Sequence, residues 1–189
     1  MKHLKIIGLA VMAAAALMAF AGSASAATFT SPTGTEYTGA LSASLEGSAL
    51  LKAGFAEDTC TESTVSGKLT TNNETEASGA TESVSFTKCS LTTTTLSSKG
   101  TLKVAKGTHA VSGTGVEVTV SALGTSCVYG LGAGTSLGTA TNTTVSGVDK
   151  VTLAITAKLE KISGGFACAN PATWTANYIV TTPTSSFVD

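Results

Sequence analysis

The chain has 189 residues, 12% of which are charged, and its formal net charge at pH 7 is −1. It contains no arginine and its lysines stand singly, so it offers neither a basic stripe for phosphates nor guanidinium groups for base edges. This composition excludes nucleic acid as an expected partner.

The start of the chain has the three parts of a secretory signal peptide. A short basic region over residues 2–5 precedes an apolar run over residues 6–21, and Ala24-Ser25-Ala26 forms a small-x-small cleavage site. The run is shorter than the roughly 20 apolar residues that a bilayer crossing requires. We expect a signal peptide over residues 1–26, a single mature domain over residues 27–189, and no membrane span after cleavage.

Alternation of apolar and polar residues predicts strands through the first half of the mature part. Over residues 35–53 the apolar face is interrupted by Gly39 and Gly47, which predict bends or bulges between two or three short strands. Residues 54–58 are expected to form a loop, and residues 71–76 an exposed connection. Further strands are expected over residues 59–71, 81–89, 91–96 and 101–105.

The second half gives the clearest strand patterns. Residues 115–130 predict a β-hairpin, with Val116, Val118 and Val120 on one face. Residues 130–138 are glycine-rich and predict a flexible loop or a wide bulge. Strands follow over residues 150–159 and 172–180, and in the latter Trp174 is expected to be a core residue. These patterns together favour an all-β fold, an antiparallel β-sandwich, with a barrel-like double sheet as the alternative.

Four cysteines lie in the predicted mature part. An even number of cysteines in an oxidising compartment favours two disulfides, and the sequence leaves three pairings open. We expect Cys60 with Cys89 and Cys127 with Cys168, because these pairings close the shorter loops. Each bridge would stabilise the fold by about 3–4 kcal/mol in the chain-entropy model. A metal site is not expected, since no Cys-x-x-Cys or neighbouring histidine occurs.

One segment matches a catalytic pattern. Gly134-Thr135-Ser136-Leu137-Gly138 fits the G-x-S-x-G sequence of a hydrolase nucleophile elbow, which requires a strand-turn-helix and a base within reach. The candidate base, His109, precedes Ser136, and Glu117 between them faces outward from a predicted strand. We therefore expect a surface turn at His109, no catalytic residues and no enzyme, and we keep a small serine hydrolase as the less favoured alternative.

Acidic and amide residues cluster over residues 57–62, which include Asp58, and over residues 72–76. Neither cluster has the alternating oxygen ligands and the glycine of a calcium loop, so we expect solvated loops, no metal and no cofactor. Asn73 and Asn142 begin Asn-x-Thr patterns that a glycosylating host could use.

Three features together carry a resemblance: the signal ending in Ala24-Ser25-Ala26, the pair Cys60 and Cys89, and the closing run over residues 168–180 with its Trp174. In these the chain resembles uncharacterised small secreted all-β proteins of actinobacterial type. More distantly it is similar to exported proteins grouped as activators of alkane oxidation. The resemblance implies secretion and an all-β fold, and it brings no set of catalytic residues.

Surface composition decides the functional expectation. A surface rich in Ser and Thr suits extended contact with cell-envelope polysaccharide or with other surface proteins. A carrier needs a cavity lined by large side chains, and the stock of these is modest. We expect an exported, non-catalytic structural or adhesive module that is secreted or bound to the cell envelope. A secreted carrier of a small apolar ligand is the alternative.

Overall fold

A computed structural model describes residues 27–54, 56–122 and 124–189, and the predicted signal peptide over residues 1–26 lies outside the described residues. In these ranges we find no helix with the length and hydropathy that a bilayer crossing requires. The described residues form strands joined by turns. The strands are β1 (Phe29–Thr30), β2 (Gly39–Ala53), β3 (Ala56–Asn72), β4 (Glu76–Cys89), β5 (Thr93–Ser98), β6 (Thr101–Ala105), β7 (Ala110–Thr114), β8 (Glu117–Ala122), β9 (Thr125–Gly130), β10 (Thr135–Val145), β11 (Val148–Ser163), β12 (Ala172–Thr182) and β13 (Phe187–Val188).

All strand pairings are antiparallel, so the expected all-β antiparallel class is confirmed for the described residues. The main sheet closes on itself, and its strands form a barrel-like double sheet. Its order is β10-β7-β6-β4-β3-β2-β12-β11-β9-β8-β5, and additional pairings join β10 to β11 and β4 to β5. The wall β4-β3-β2-β12-β11 is shared by both ends. Strands β10, β7 and β6 complete one end, while β9, β8 and β5 complete the other.

The strands are longer than the sequence pattern predicted, because bulges replace the expected interruptions. Strand β2 runs unbroken for 15 residues, with its register shifting between Ser44 and Ala49 around Gly47. The φ of Gly47 is 78°, a conformation that glycine adopts without steric cost. Near Gly138 the register shifts again, so a bulge lies within the segment for which a flexible loop or a wide bulge was predicted, although residues 135–138 belong to β10.

The predicted loop over residues 54–58 is wrong at its second half, because β3 begins at Ala56. Two acidic residues suggested an exposed loop, but both belong to β3 and form contacts with neighbouring residues of the fold. Glu57 lies 3.6 Å from the ammonium group of Lys52 across the β2–β3 hairpin. Asp58 is buried and accepts hydrogen bonds from the turn after β4.

Both predicted disulfides are confirmed. Cys60–Cys89 joins directly opposed residues of β3 and β4, and Cys127–Cys168 joins β9 to the connection before β12. The two bridges lie at the same end of the double sheet, which we call the disulfide end. Disulfides persist in oxidising surroundings, so the pair points to an oxidising compartment for the folded protein.

The opposite end, which we call the capped end, is crossed by the two-stranded sheet of β1 and β13. Two asparagine side chains form hydrogen bonds with the backbone of this cap, in the way that a neighbouring strand would. Phe29 N donates to Asn72 Oδ1, and Asn72 Nδ2 donates to Phe29 O. Val188 N donates to Asn142 Oδ1 at 2.8 Å, and Asn142 Nδ2 donates to Val188 O at 2.7 Å. The cap is thereby tied to β3 on one side and to β10 on the other.

Inward residues of the shared wall follow the predicted parity. On β12 and β11 the alternate positions are buried or half-buried, as the pattern over residues 150–159 and 172–180 indicated. Trp174 faces the interior as expected. Its ring packs edge-on against Phe86 and Tyr178, with 6.0 Å between ring centroids in both pairs.

Candidate functional site

The interior of the double sheet is not completely filled. Three apolar cavities follow one another from the capped end to the disulfide end. The capped cavity has a volume of about 110 Å³ and lies beneath Phe29 and Val188 of the cap. The middle cavity, lined by Thr81 and Tyr178 among others, has a volume of about 60 Å³. The disulfide-end cavity, lined by Cys60 and Phe86 among others, also has a volume of about 60 Å³.

Shared walls make the cavities one series. The capped and middle cavities are both lined by Ala43, Val65 and Leu153. The middle and disulfide-end cavities are both lined by Leu131 and Trp174. Since the lining consists mainly of aliphatic and aromatic side chains, the series resembles the apolar sites in which proteins enclose small molecules.

Two polar groups on this lining have unused hydrogen-bonding capacity. Among the described residues, neither Thr81 Oγ1 nor Trp174 Nε1 has a hydrogen-bond partner, although both atoms are shielded from solvent. The Thr81 residue is 2% exposed, and it lines the middle cavity together with Trp174. Buried polar groups without partners are costly, but neither atom contributes polar surface to the middle cavity, whose accessible lining is apolar.

A bulge explains why Thr81 faces inward. Ser66 pairs with Ser83 and Gly67 pairs with Thr81, so Glu82 has no opposite residue in β3. The extra residue changes the parity of β4 and places Thr81 on the same face as Val84. Strict alternation counted from Val84 would put Thr81 outside, which is why sequence reasoning missed it.

A third polar group near the middle cavity is already satisfied. The hydroxyl of Tyr178, which is 1% exposed, lies 2.8 Å from the hydroxyl of Ser63. Burial raises the pKa of Tyr178 to about 12, even though the hydrogen bond with Ser63 acts in the opposite direction. Tyr178 therefore remains neutral at physiological pH and adds no charge to the interior.

Asp58 is a structural residue at the disulfide end. Its carboxylate accepts hydrogen bonds from Ser90 Oγ and Leu91 N, each at 2.8 Å, and from Thr92 Oγ1. Burial alone would raise the pKa of Asp58, but the hydrogen bonds from Thr92, Ser90 and Leu91 outweigh it and lower the pKa. The expected solvated loop is therefore wrong for Asp58.

Asp58 also lies close to the sulfur atoms of Cys60 and Cys89. The two sulfurs are bonded to each other and cannot act as thiolate ligands for a metal ion. In the other acidic cluster, Asn73 Oδ1 accepts from Thr75 and Glu76 within a turn. Both clusters are thus occupied by contacts within the protein.

The hydrolase candidates are not brought together. Ser136 is exposed on β10, inside a strand and not at a strand-turn-helix. His109 occupies the turn between β6 and β7 with a φ of 53°, and its carbonyl oxygen accepts from Ala140 N. Ala140 is four residues beyond Ser136, which corresponds to about 13 Å along a strand. The expected surface turn at His109 is confirmed.

The outer face carries a polar groove of about 270 Å³ beside the bulged part of β2 and β3. Its lining is rich in hydroxyl groups, among them those of Thr61, Thr64 and Thr87. Glu62 in the same groove forms an ion pair with Lys88 and accepts from Thr87. The hydrogen bonds from Lys88 and Thr87 lower the pKa of Glu62, so the groove carries a carboxylate at neutral pH.

The chain matches no known protein family, and no curated protein and no solved structure is significantly similar to it.

Proposed function

We propose that this is an exported, non-catalytic binding protein that encloses a small, mainly apolar molecule inside its double sheet. The observation that carries the proposal is the series of three apolar cavities, the first of which lies beneath Phe29 and Val188 of the β1–β13 cap. An enclosed apolar cavity of about 150 Å³ can bind benzene, so the capped cavity of about 110 Å³ suits a molecule of similar or smaller width.

The size and order of the cavities limit the ligand further. Pockets for drug-sized ligands measure roughly 300–1,000 Å³, well above any one of these cavities. Three small cavities in a row favour a short, extended molecule. The sequence placed an envelope module ahead of a carrier, because large side chains are few. We propose the reverse order, and the Leu, Val, Phe and Trp side chains that converge on the interior support it.

Export and extracellular location form part of the proposal. The sequence over residues 1–26 and the two disulfides support them.

The first test is recovery of a bound molecule from the protein secreted by its native producer. We expect native mass spectrometry to show a bound species, and gas chromatography of a solvent extract to show a short apolar compound. The unfolded and refolded protein is the matched control, because it should lose the compound and rebind it when it is added back. A protein that carries nothing and rebinds nothing would contradict the proposal.

A second candidate function, an envelope-associated module that contacts polysaccharide, is favoured by the hydroxyl-lined outer groove. Hydroxyl groups and one carboxylate can form hydrogen bonds with sugar hydroxyls. Fractionation of the producer distinguishes the two candidates. Retention in the envelope that is lost in Thr61→Val/Thr64→Val, with nothing bound inside, would favour the module.

A further inference from the structure

We infer that the ligand enters and leaves through the seam between β4 and β5, which borders the disulfide-end cavity. This inference rests on the proposed function. The seam is where the main sheet closes at the disulfide end, and among the described residues it contains one pair, Ser85 opposite Thr95. A single pair is easier to open than a full ladder of hydrogen bonds between strands.

Both strands of the seam are held firmly by their other neighbours. Strand β4 pairs with β3 over residues 77–89, and β5 pairs with β8 over residues 93–98. The connection between β4 and β5 is bound to β3, because Ser90 Oγ and Leu91 N donate to the carboxylate of Asp58. The seam can therefore part while each strand stays in the sheet.

Solvent reaches inward-facing side chains on both sides of the seam. Val84 and Phe86 of β4 and Thr94 of β5 line the disulfide-end cavity, and all three are half-buried. On the shared wall, by contrast, Ala157 and Tyr178 are each 1% exposed. The wall of the double sheet is thus thin along the seam, at the point where the fewest backbone contacts hold it.

The capped end is the competing route, and it is held by more bonds. Strands β1 and β13 pair with each other, and the side chains of Asn72 and Asn142 bind the backbone of the cap from two sides. Opening there would break several of these bonds. From the disulfide-end cavity, a ligand reaches the rest of the series past Leu131 and Trp174, which line both this cavity and the middle one.

The test is a disulfide staple across the seam, in Ser85→Cys/Thr95→Cys. Opposed residues of antiparallel strands have Cα atoms about 4.5–5.5 Å apart, which suits a disulfide. Both residues are exposed, so the staple leaves the cavity lining unchanged. The matched control is Thr64→Cys/Ser85→Cys, because Thr64 lies opposite Ser85 in the extensive β3–β4 ladder. Peptide mapping verifies the new bond and both native ones.

Stopped-flow fluorescence of the single tryptophan measures the exchange of 1-iodobutane, a short apolar probe. Its iodine atom quenches the emission of Trp174, which lines the disulfide-end cavity. We expect the seam staple to slow association and dissociation at least about tenfold and to leave the Kd within about twofold of the wild type. A passage affects the barrier and not the free or bound state. The control staple should leave both rates unchanged.

Thr94 provides a second measurement that needs no new cysteine. Thr94→Ala should speed the exchange of 1-iodobutane and Thr94→Leu should slow it, because the side chain lies beside the seam. This series decides if the staple does not form or if it changes the Kd. Unchanged rates in the seam staple, equal slowing by both staples, or a deciding Thr94 series that does not follow side-chain size overturns the inference and leaves the proposed function standing. A wild type that binds no 1-iodobutane overturns both.

Discussion

Filling the capped cavity should abolish binding while preserving the fold, and Ala140→Leu is the variant that tests this. Ala140 is 1% exposed, lies on β10 and lines the capped cavity. Leucine adds three carbon atoms, which contribute up to about 2.4 kcal/mol when buried at about 0.8 kcal/mol per carbon. Strain from overpacking removes about 1 kcal/mol or more of this gain. We expect a net stabilisation of about 1 kcal/mol.

The assay for Ala140→Leu combines thermal unfolding with headspace gas chromatography, which measures the binding of n-heptane as a short apolar probe. A gain of about 1 kcal/mol raises the Tm by roughly 2–4 °C for a chain of this size, and binding should fall at least about tenfold. Val145→Leu is the matched control, because Val145 lies on the same strand and is 43% exposed. Unchanged binding with a raised Tm would refute the placement of the ligand. A loss of more than about 2 kcal/mol would refute the existence of usable space.

Three further predictions concern the polar contacts. Tyr178→Phe should cost about 1–3 kcal/mol in urea unfolding because it leaves the Ser63 hydroxyl unpaired, and adding Ser63→Ala should recover part of that loss. Asp58→Asn should cost about 1.5–3 kcal/mol at pH 7. Folding lowers the pKa of Asp58, so its contribution to the free energy of unfolding is fully present above the unfolded pKa near 4. That contribution disappears as the pH falls through the folded pKa, and the stabilities of the variant and the wild type should converge there. Asn142→Ala should accelerate amide exchange at Val188, which loses its acceptor, while Asn73→Ala leaves that amide unchanged.

The sequence was sufficient for features that depend on local pattern. Alternation over residues 150–159 and 172–180 identified the inward face of β11 and β12, including Trp174. Loop length was enough to choose between the possible disulfide pairings. Both predictions needed only spacing along the chain, so they did not depend on how distant strands meet.

Features that depend on distant pairing or on volume were not predictable in this way. Period-two alternation is the same in an open sandwich and in a closed sheet, and closure comes from the β10–β11 and β4–β5 pairings. The bulge at Glu82 reverses the parity of β4. Thr81 therefore faces inward, although simple alternation from Val84 predicts that it faces outward. Asn72 was read as part of an exposed connection, whereas its side chain substitutes for a strand edge at the cap.

Empty space in the interior lowers the free energy of unfolding, and the two disulfides offset this loss. At about 24 cal/mol per Å³, the capped cavity of about 110 Å³ costs about 2.6 kcal/mol relative to a filled core. The bridges close sequence separations of 29 and 41 residues, for which the chain-entropy model gives about 3.6 and about 3.9 kcal/mol. Each bridge therefore contributes more than the capped cavity costs. Because the bridges lie at the opposite end from the cap, they stabilise the double sheet without occupying the space beneath Phe29 and Val188.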